Sequence, residues 1–284
     1  SFPQTTIAST YSQYNAVTCS AASGTALACG EKTKNGAIGM DSLLSKPLFS
    51  VAQKLRQQGK NVGIVTSVSI DHATPAAFYA HQPHRSMYYD IALDAAKSDF
   101  DFFGGAGFLQ LQKDSNSVNV LTILRDSNYF IAKGIEEYNR NHEKIVLLQD
   151  FEKESLDFAI DRENQDLSLS DLVSSALDFL TKDDNGFFLM IEGGLIDWAC
   201  HSNDAATVFA EVEDLSNTMN EVLRFYHQHP DETLIILTAD HETGGLSLGT
   251  GDYQLNLSVL QNQKKSAYKL NEMFNQMAKE KGEN

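Results

Sequence analysis

The sequence predicts an α/β protein, a mainly parallel sheet covered by helices on both faces, and three observations predict it. Strand-type and helix-type segments alternate through most of the 284 residues. The strand candidates at 61–69, 144–148, 187–191 and 233–238 are continuous apolar or β-branched runs, the pattern of strands buried on both faces. Residues able to hold ligands stand where such runs end: His72 and Thr74, Glu192, and Asp240 with His241. In open parallel sheets, functional groups collect beyond the carboxyl ends of the strands.

The bulk composition fits one α/β domain over 1–284, with 106–170 the least clearly patterned stretch and a candidate peripheral insertion. Hydrophobic residues make up 42% and charged residues 21%, ordinary for a globular chain. No apolar run approaches the ~20 residues of a membrane span. The formal charge of −16 argues against nucleic acid or an anionic membrane as partner. It also means that any bound anion needs local cations. Cys19, Cys29 and Cys200 are odd in number and show no Cys-x-x-Cys pair, so most of them read as small buried thiols. The chain opens on Ser1 without a charged-then-apolar leader, and no signal peptide is read in it.

In chain order, 1–17 is polar and reads as loop. The small-residue run from Thr18 predicts a closely packed helix stopped by Gly30. Residues 34–39 form a turn-rich loop, and 43–58 have helical spacing ending at Gly59. The 61–69 strand leads to Pro75, suited to the first turn of a helix. Then come a helix over 88–98, a strand over 100–105 closing in Gly104-Gly105, and a mixed region over 106–141. The 144–148 strand is followed by a helix over 170–180, the 187–191 strand and a long helix over 205–227 closed by Pro230. The 233–238 run reads as the cleanest buried strand, and 265–284 as a surface helix.

The chemistry gathers in four places. Glu192 ends a strand, Gly193-Gly194 breaks it, and Asp197 and His201 follow four apart, on one helical face about 6 Å apart along the axis. Alone, that pair could equally be a surface i,i+4 contact; with Glu192 beside it, a metal-ligand set is the stronger reading. Asp240 and His241 at a strand-to-loop break can turn to a common point, though Asp240 could simply cap a turn. Ser20 stands where the small-residue helix begins, in a field that favours an alkoxide or a phosphate, or as a plain N-cap. Arg85 could clamp two phosphate oxygens or be a lone surface cation. Gly-x-Ser-x-Gly and a zincin His pair are both absent.

Five blocks, Thr18-Cys-Ser-Ala-Ala-Ser-Gly-Thr-Ala, Lys34-Asn-Gly-Ala-Ile-Gly-Met-Asp41, Asp71-His-Ala-Thr-Pro-Ala, Ile191-Glu-Gly-Gly-Leu-Ile-Asp-Trp-Ala-Cys-His201 and Thr238-Ala-Asp-His-Glu-Thr243, together resemble the alkaline phosphatase family, in its order and over about the first 245 positions. The resemblance implies a three-layer fold and a phosphomonoesterase with two zinc ions and one magnesium. It implies Ser20 as the nucleophile that becomes a phosphoserine, and Arg85 as the binder of non-bridging phosphate oxygens. Asp240 and His241 match ligands of one zinc, Asp197 and His201 of the other, and Glu192 and Thr74 ligands of magnesium. His72 and Trp198 match positions that tune metal and phosphate affinity. The partners implied are small phosphomonoesters and inorganic phosphate, in a periplasmic or secreted protein that is often a homodimer.

Several departures qualify the match. Cys19 stands where the family commonly has an Asp that helps position the arginine, so a looser Arg85 is expected. The family's Asp-Gly-Met-Gly-like turn is absent, and no histidine follows Gly245 to complete a zinc site. The chain therefore reads as an internal fragment, incomplete at both ends, that binds metal weakly and turns over slowly. The competing expectations are a phosphodiesterase or sulfatase of the same superfamily, and a metal-binding module without catalysis.

Overall fold

A computed structural model describes residues 3–246 and 256–281; the outermost ends of the expected amino-terminal loop and carboxy-terminal helix lie outside these. Helix α1 (Ser20–Cys29) ends where Gly30 turns left-handed, φ 74°, as the small-residue run predicts. Helix α2 (Val51–Gln57) is shorter than the 43–58 periodicity suggests. Asp41 accepts from the Ser45 backbone N–H, the Ser45 hydroxyl and the Lys46 N–H, and holds 41–46 as a turn with Leu44 at φ 57°. Helix can start only after Pro47, where Ser50 and Gln53 form a capping box.

Strand β1 (Asn61–Thr66) is buried at every position. It feeds the one-turn helix α3 (Ala73–Ala76), which carries Pro75. Helix α4 (Tyr88–Lys97) and strand β2 (Phe102–Gly105) follow. The mixed region resolves into helix α5 (Val120–Asp126) and strand β3 (Tyr129–Lys133), which runs into β4 (Lys144–Leu148). Helix α6 (Leu169–Leu180) opens on a Ser168–Asp171 capping box. Strand β5 (Phe187–Glu192), helix α7 (Leu195–His201), the long helix α8 (Ala205–Gln228) and helix α9 (Ala267–Lys281) complete the described strands and α-helices.

Among the described residues the sheet has five strands, all parallel, in the order β3-β4-β2-β1-β5. Alternate strand residues face two separate cores. Val62, Ile64, Phe103, Val146 and Leu148 pack under α1 to α5, while Val65, Phe102, Ile145 and Leu147 pack under α6, α7 and α8. Both faces are covered, which is the three-layer arrangement the continuous apolar runs require.

Two strand expectations change. Strand β5 is an edge among the described residues, and only Met190 of it is buried, the others being half-buried. The 233–238 run is not a strand: it pairs with nothing described, and Leu234, Ile236 and Leu237 are exposed. An apolar run becomes a strand only where a partner offers its backbone groups, and none of the described residues does. The three cysteines are free and half-buried rather than buried.

In the α6–α8 layer, Glu211 accepts the Ala159 backbone N–H at 2.6 Å, beside a double hydrogen bond from Arg162 to Asp214. Burial pushes the Glu211 carboxyl from its ordinary 4.5 up to about 7; the Ala159 N–H opposes this, Asp214 adds to it, Arg162 opposes and Asp161 adds. The folded chain therefore keeps this proton to higher pH than the unfolded chain does. Stability is undiminished below about pH 4.5 and falls as pH rises through about 7. Glu211→Gln keeps the acceptor oxygen and removes the charge, so it is expected to add about 2 kcal/mol at about pH 8 and little at about pH 5. Urea denaturation of both proteins at the two pH values checks this, and equal stability at the higher one contradicts it.

Candidate functional site

The carboxyl ends of β1 and β5 lie side by side, with Thr66 in register with Glu192. Close packing brings α1 to them: a Cβ on Gly24 would meet the Ala77 Cβ at 3.2 Å and the Thr74 Cα at 3.4 Å. Small residues on α1 thus let it lie almost against the backbone of α3, which sets Ser20 over the strand ends. A cavity of about 340 Å³ opens there, lined by Ser20, His72, Arg85, Asp197, Trp198, His201 and Ser202.

Ser20 Oγ lies 3.3 Å from Nε2 of His241, and Ser23, one turn on, donates to Asp240 Oδ2 at 2.8 Å. The 240s loop is thereby attached to the start of α1. Asp240 Oδ2 and His241 Nε2 stand 3.5 Å apart, as do Asp197 Oδ1 and His201 Nε2. His201 is exposed while Asp197 is half-buried.

Glu192 accepts the Thr66 hydroxyl at 2.6 Å. Burial pushes its carboxyl up to about 7, the Thr66 hydroxyl pulls it back, Asp240 pushes it up, a Thr74 hydrogen bond pulls back and Asp197 pushes up. Glu192 and Thr74 are thus together, within electrostatic reach of two further carboxylates.

Arg85 is held at both ends despite the thiol at Cys19. Its backbone N–H donates to the Gly36 carbonyl at 2.8 Å, and the Gly36 N–H donates to the Cys19 sulfur at 3.2 Å. The guanidinium donates to His72 Nε2 at 3.2 Å. Burial and the adjacent Arg85 cation push His72 down to about 4, with Asp197 opposing, so the imidazole is neutral. A guanidinium can only donate, so Nε2 is the acceptor and the hydrogen sits on Nδ1. That Nδ1 is buried without a hydrogen-bond partner among the described residues. Trp198 meets the His72 ring edge-on, centroids 5.8 Å apart. Behind them, both carboxylate oxygens of Asp71 take the Leu109 N–H and fix the loop that presents His72.

The structure thus draws together Ser20, Thr74, Arg85, Glu192, Asp197, Asp240 and His241, with His72, Trp198 and His201 on the cavity wall. Among the described residues, no three of His, Cys, Asp and Glu converge closely enough to hold a metal by themselves. Sequence reading overlooks Ser23, Thr66 and Thr243. Ser23 carries a signal, its i+3 spacing from Ser20 on one helical face; the other two carry none until the strands and loops are placed.

A parallel α/β sheet thus gathers a serine hydroxyl, carboxylates and imidazoles beyond its strand ends. The comparisons define it further. Residues 1–103 and 125–283 match the sequence profile of the family described as Alkaline phosphatase, and the chain belongs to that family. It is 37% identical over 242 residues to Alkaline phosphatase 4 of Bacillus subtilis, covering 83% of this chain and 51% of that protein. It is 32% identical over 268 residues to the repressible alkaline phosphatase of Saccharomyces cerevisiae, covering 84% and 47%. Among solved structures, the cold-active alkaline phosphatase of a psychrophilic Shewanella superposes with a TM-score of 0.82 at 37% identity, over 91% of this chain and 64% of that one. A variant of the alkaline phosphatase of the Antarctic bacterium TAB5, solved with Mg bound, superposes with a TM-score of 0.77 at 34% identity, over 86% and 69%. The chain spans about half the length of the curated relatives it matches.

Proposed function

We propose that this chain carries much of the active site of a metal-dependent phosphomonoesterase, with Ser20 as nucleophile. One observation carries the reading: Ser20 Oγ stands within 3.3 Å of His241 Nε2, at a cavity also lined by Arg85, Asp197 and His201. The donor set fits zinc in kind, because carboxylate oxygens and neutral imidazoles are its usual oxygen and nitrogen ligands. The Glu192 carboxyl, raised by burial and by two nearby carboxylates, also favours a cation beside it. Asp240 and His241 would hold one zinc, Asp197 and His201 the second, and Glu192 with Thr74 a magnesium, while His72 and Trp198 tune the site. When bound, such ions polarise phosphoryl oxygens and offset the charge that develops in an in-line displacement.

The residues of the chain supply the rest. Arg85, tethered through Gly36 and His72, aims guanidinium donors that bind two non-bridging oxygens of the phosphate. The Ser20 oxygen bonds to phosphorus as the bond to the leaving oxygen breaks; the serine proton passes to solvent, and the departing alkoxide takes a proton from solvent to leave as the alcohol. Water then attacks the phosphoserine, frees inorganic phosphate and returns the serine. The ligands are small phosphomonoesters and phosphate. A periplasmic or secreted location and a homodimer belong to the same reading; among the described residues no helix is long and apolar enough to cross a membrane.

The fit is incomplete in number. A catalytic zinc keeps three protein ligands and an open position, and each pair here offers two. The 284-residue chain is therefore expected to hold fewer than two zinc ions and to hydrolyse p-nitrophenyl phosphate about 100-fold more slowly than a full-length relative, or worse. Zinc analysis after dialysis and a p-nitrophenyl phosphate assay test it. Full zinc loading with turnover equal to a relative's would overturn the incompleteness. Zinc binding without any phosphate transfer to Ser20 would overturn the phosphatase reading.

A further inference from the structure

We propose that Thr243 is a positioning residue whose hydroxyl locks the two donor pairs into one register; the inference rests on the metal-dependent reading above. Thr243 Oγ1 donates to Asp197 Oδ1 at 2.6 Å and lies 3.1 Å from His241 Nδ1. It therefore touches one donor from each proposed zinc pair. Its chemistry is fixed by a neighbour. His241 Nδ1 is 2.9 Å from the Glu242 carbonyl oxygen, which can only accept. The ring hydrogen must then sit on Nδ1, which leaves Nε2 with its lone pair facing Ser20. Thr243 accepts from the same Nδ1–H, so its own single hydrogen is free for Asp197.

The Glu242 carbonyl and the Thr243 hydroxyl together decide which atoms are left over. On His241 that atom is Nε2. On Asp197 it is Oδ2, which carries no hydrogen bond among the described residues, while Oδ1 is occupied. Such outer contacts orient ligating atoms and sharpen their basicity.

The seat for this contact is built into the backbone. Gly244 follows at φ 80°, and a Cβ there would fall 2.4 Å from the Cys200 carbonyl oxygen. Only a residue without a side chain lets the loop close on the end of α7, where Thr243 reaches Asp197. The Gly245 N–H donates to Glu242 Oε1 at 2.6 Å and closes the loop on itself.

The test is a zinc titration of the 284-residue chain against a chromogenic chelator, comparing wild type with T243V and T243S. Valine keeps the shape and loses the hydroxyl; serine restores it. T243V is expected to weaken zinc binding about 10- to 100-fold, and T243S to stay within about threefold of wild type. In the metal-free chain, amide exchange over 240–246 is expected to run about 10-fold faster in T243V than in wild type or T243S. A T243V protein that binds zinc as wild type does would overturn this inference alone and leave the phosphatase reading standing. A wild type that takes up no zinc would overturn the metal-dependent reading and this inference with it. Equal losses in T243V and T243S would show that bulk, not the hydroxyl, matters, and would also overturn it.

Discussion

Ser20→Ala is expected to leave zinc binding within about threefold of wild type and to lower phosphomonoester turnover on the order of 10⁴-fold. The two readouts separate because Ser20 is placed as attacking atom. The oxygen and nitrogen donors assigned to the ions lie on Asp197, His201, Asp240 and His241, and the 240s loop stays tied to α1 through Ser23 and Asp240. Alanine is also an excellent first-turn helix residue, so α1 does not lose its start. Covalent transfer of labelled phosphate from a phosphomonoester to the protein should vanish with the hydroxyl. That readout remains measurable where steady-state turnover is slow. A Ser20→Ala protein that still becomes labelled would move the nucleophile elsewhere.

Phe103→Ala is expected to cost about 3–5 kcal/mol of folding stability. Phe103 is fully buried in the centre of the sheet. Its ring meets Tyr79 edge-on at 5.4 Å and packs against Phe100 and Tyr129 at 6.0 Å each. Three large rings cannot collapse into the space of a fourth without leaving their rotamers, so most of the hole would persist. The loss would also reach the cavity. The Tyr79 hydroxyl donates to the Ile70 carbonyl at 2.7 Å, and Ile70 opens the loop that carries His72 and leads into α3 with Thr74. Denaturant midpoints for wild type and variant measure the cost; a loss under about 1 kcal/mol would show that this cluster is not the central core.

Where local chemistry decides the structure, the sequence was readable. The small-residue run stopped by Gly30, the 144–148 strand and the serine-and-acid start of α6 all declare themselves within a few residues. Where a distant partner decides, it was not. The 43–50 stretch has helical spacing, but Asp41 competes for its backbone and wins. Residues 120–133 held a short helix and a strand joined by Asn128 in the left-handed region, too brief for any period to show. The 233–238 run was apolar enough for a buried strand, yet apolarity says nothing of whether a neighbouring edge exists.

The candidate site divides in the same way. Asp197 with His201 and Asp240 with His241 announce themselves by spacing and by acid–imidazole pairing, and Ser20 by its place at a helix start. Thr66 and Thr243 could not, and Ser23 offered only its i+3 spacing from Ser20. A hydroxyl is among the commonest surface groups, and each of these three acquires meaning only when the fold sets it beside a carboxylate.

The parallel pairing of β1 with β5 joins Asn61 to Phe187 and Thr66 to Glu192 across more than a hundred intervening residues. Closing so long a loop is entropically slow, and such contacts are among the last a chain makes. During synthesis, Ser20, Thr74 and Arg85 leave the ribosome well before Glu192, Asp197 and the 240s loop exist. Ser20 and Arg85, the proposed nucleophile and phosphate-binding cation, are thus laid down early, and the acidic residues arrive on top of them. On the proposed reading, metal capture belongs to the end of folding, and a nascent chain holds an anion-seeking half-site before it can hold a cation.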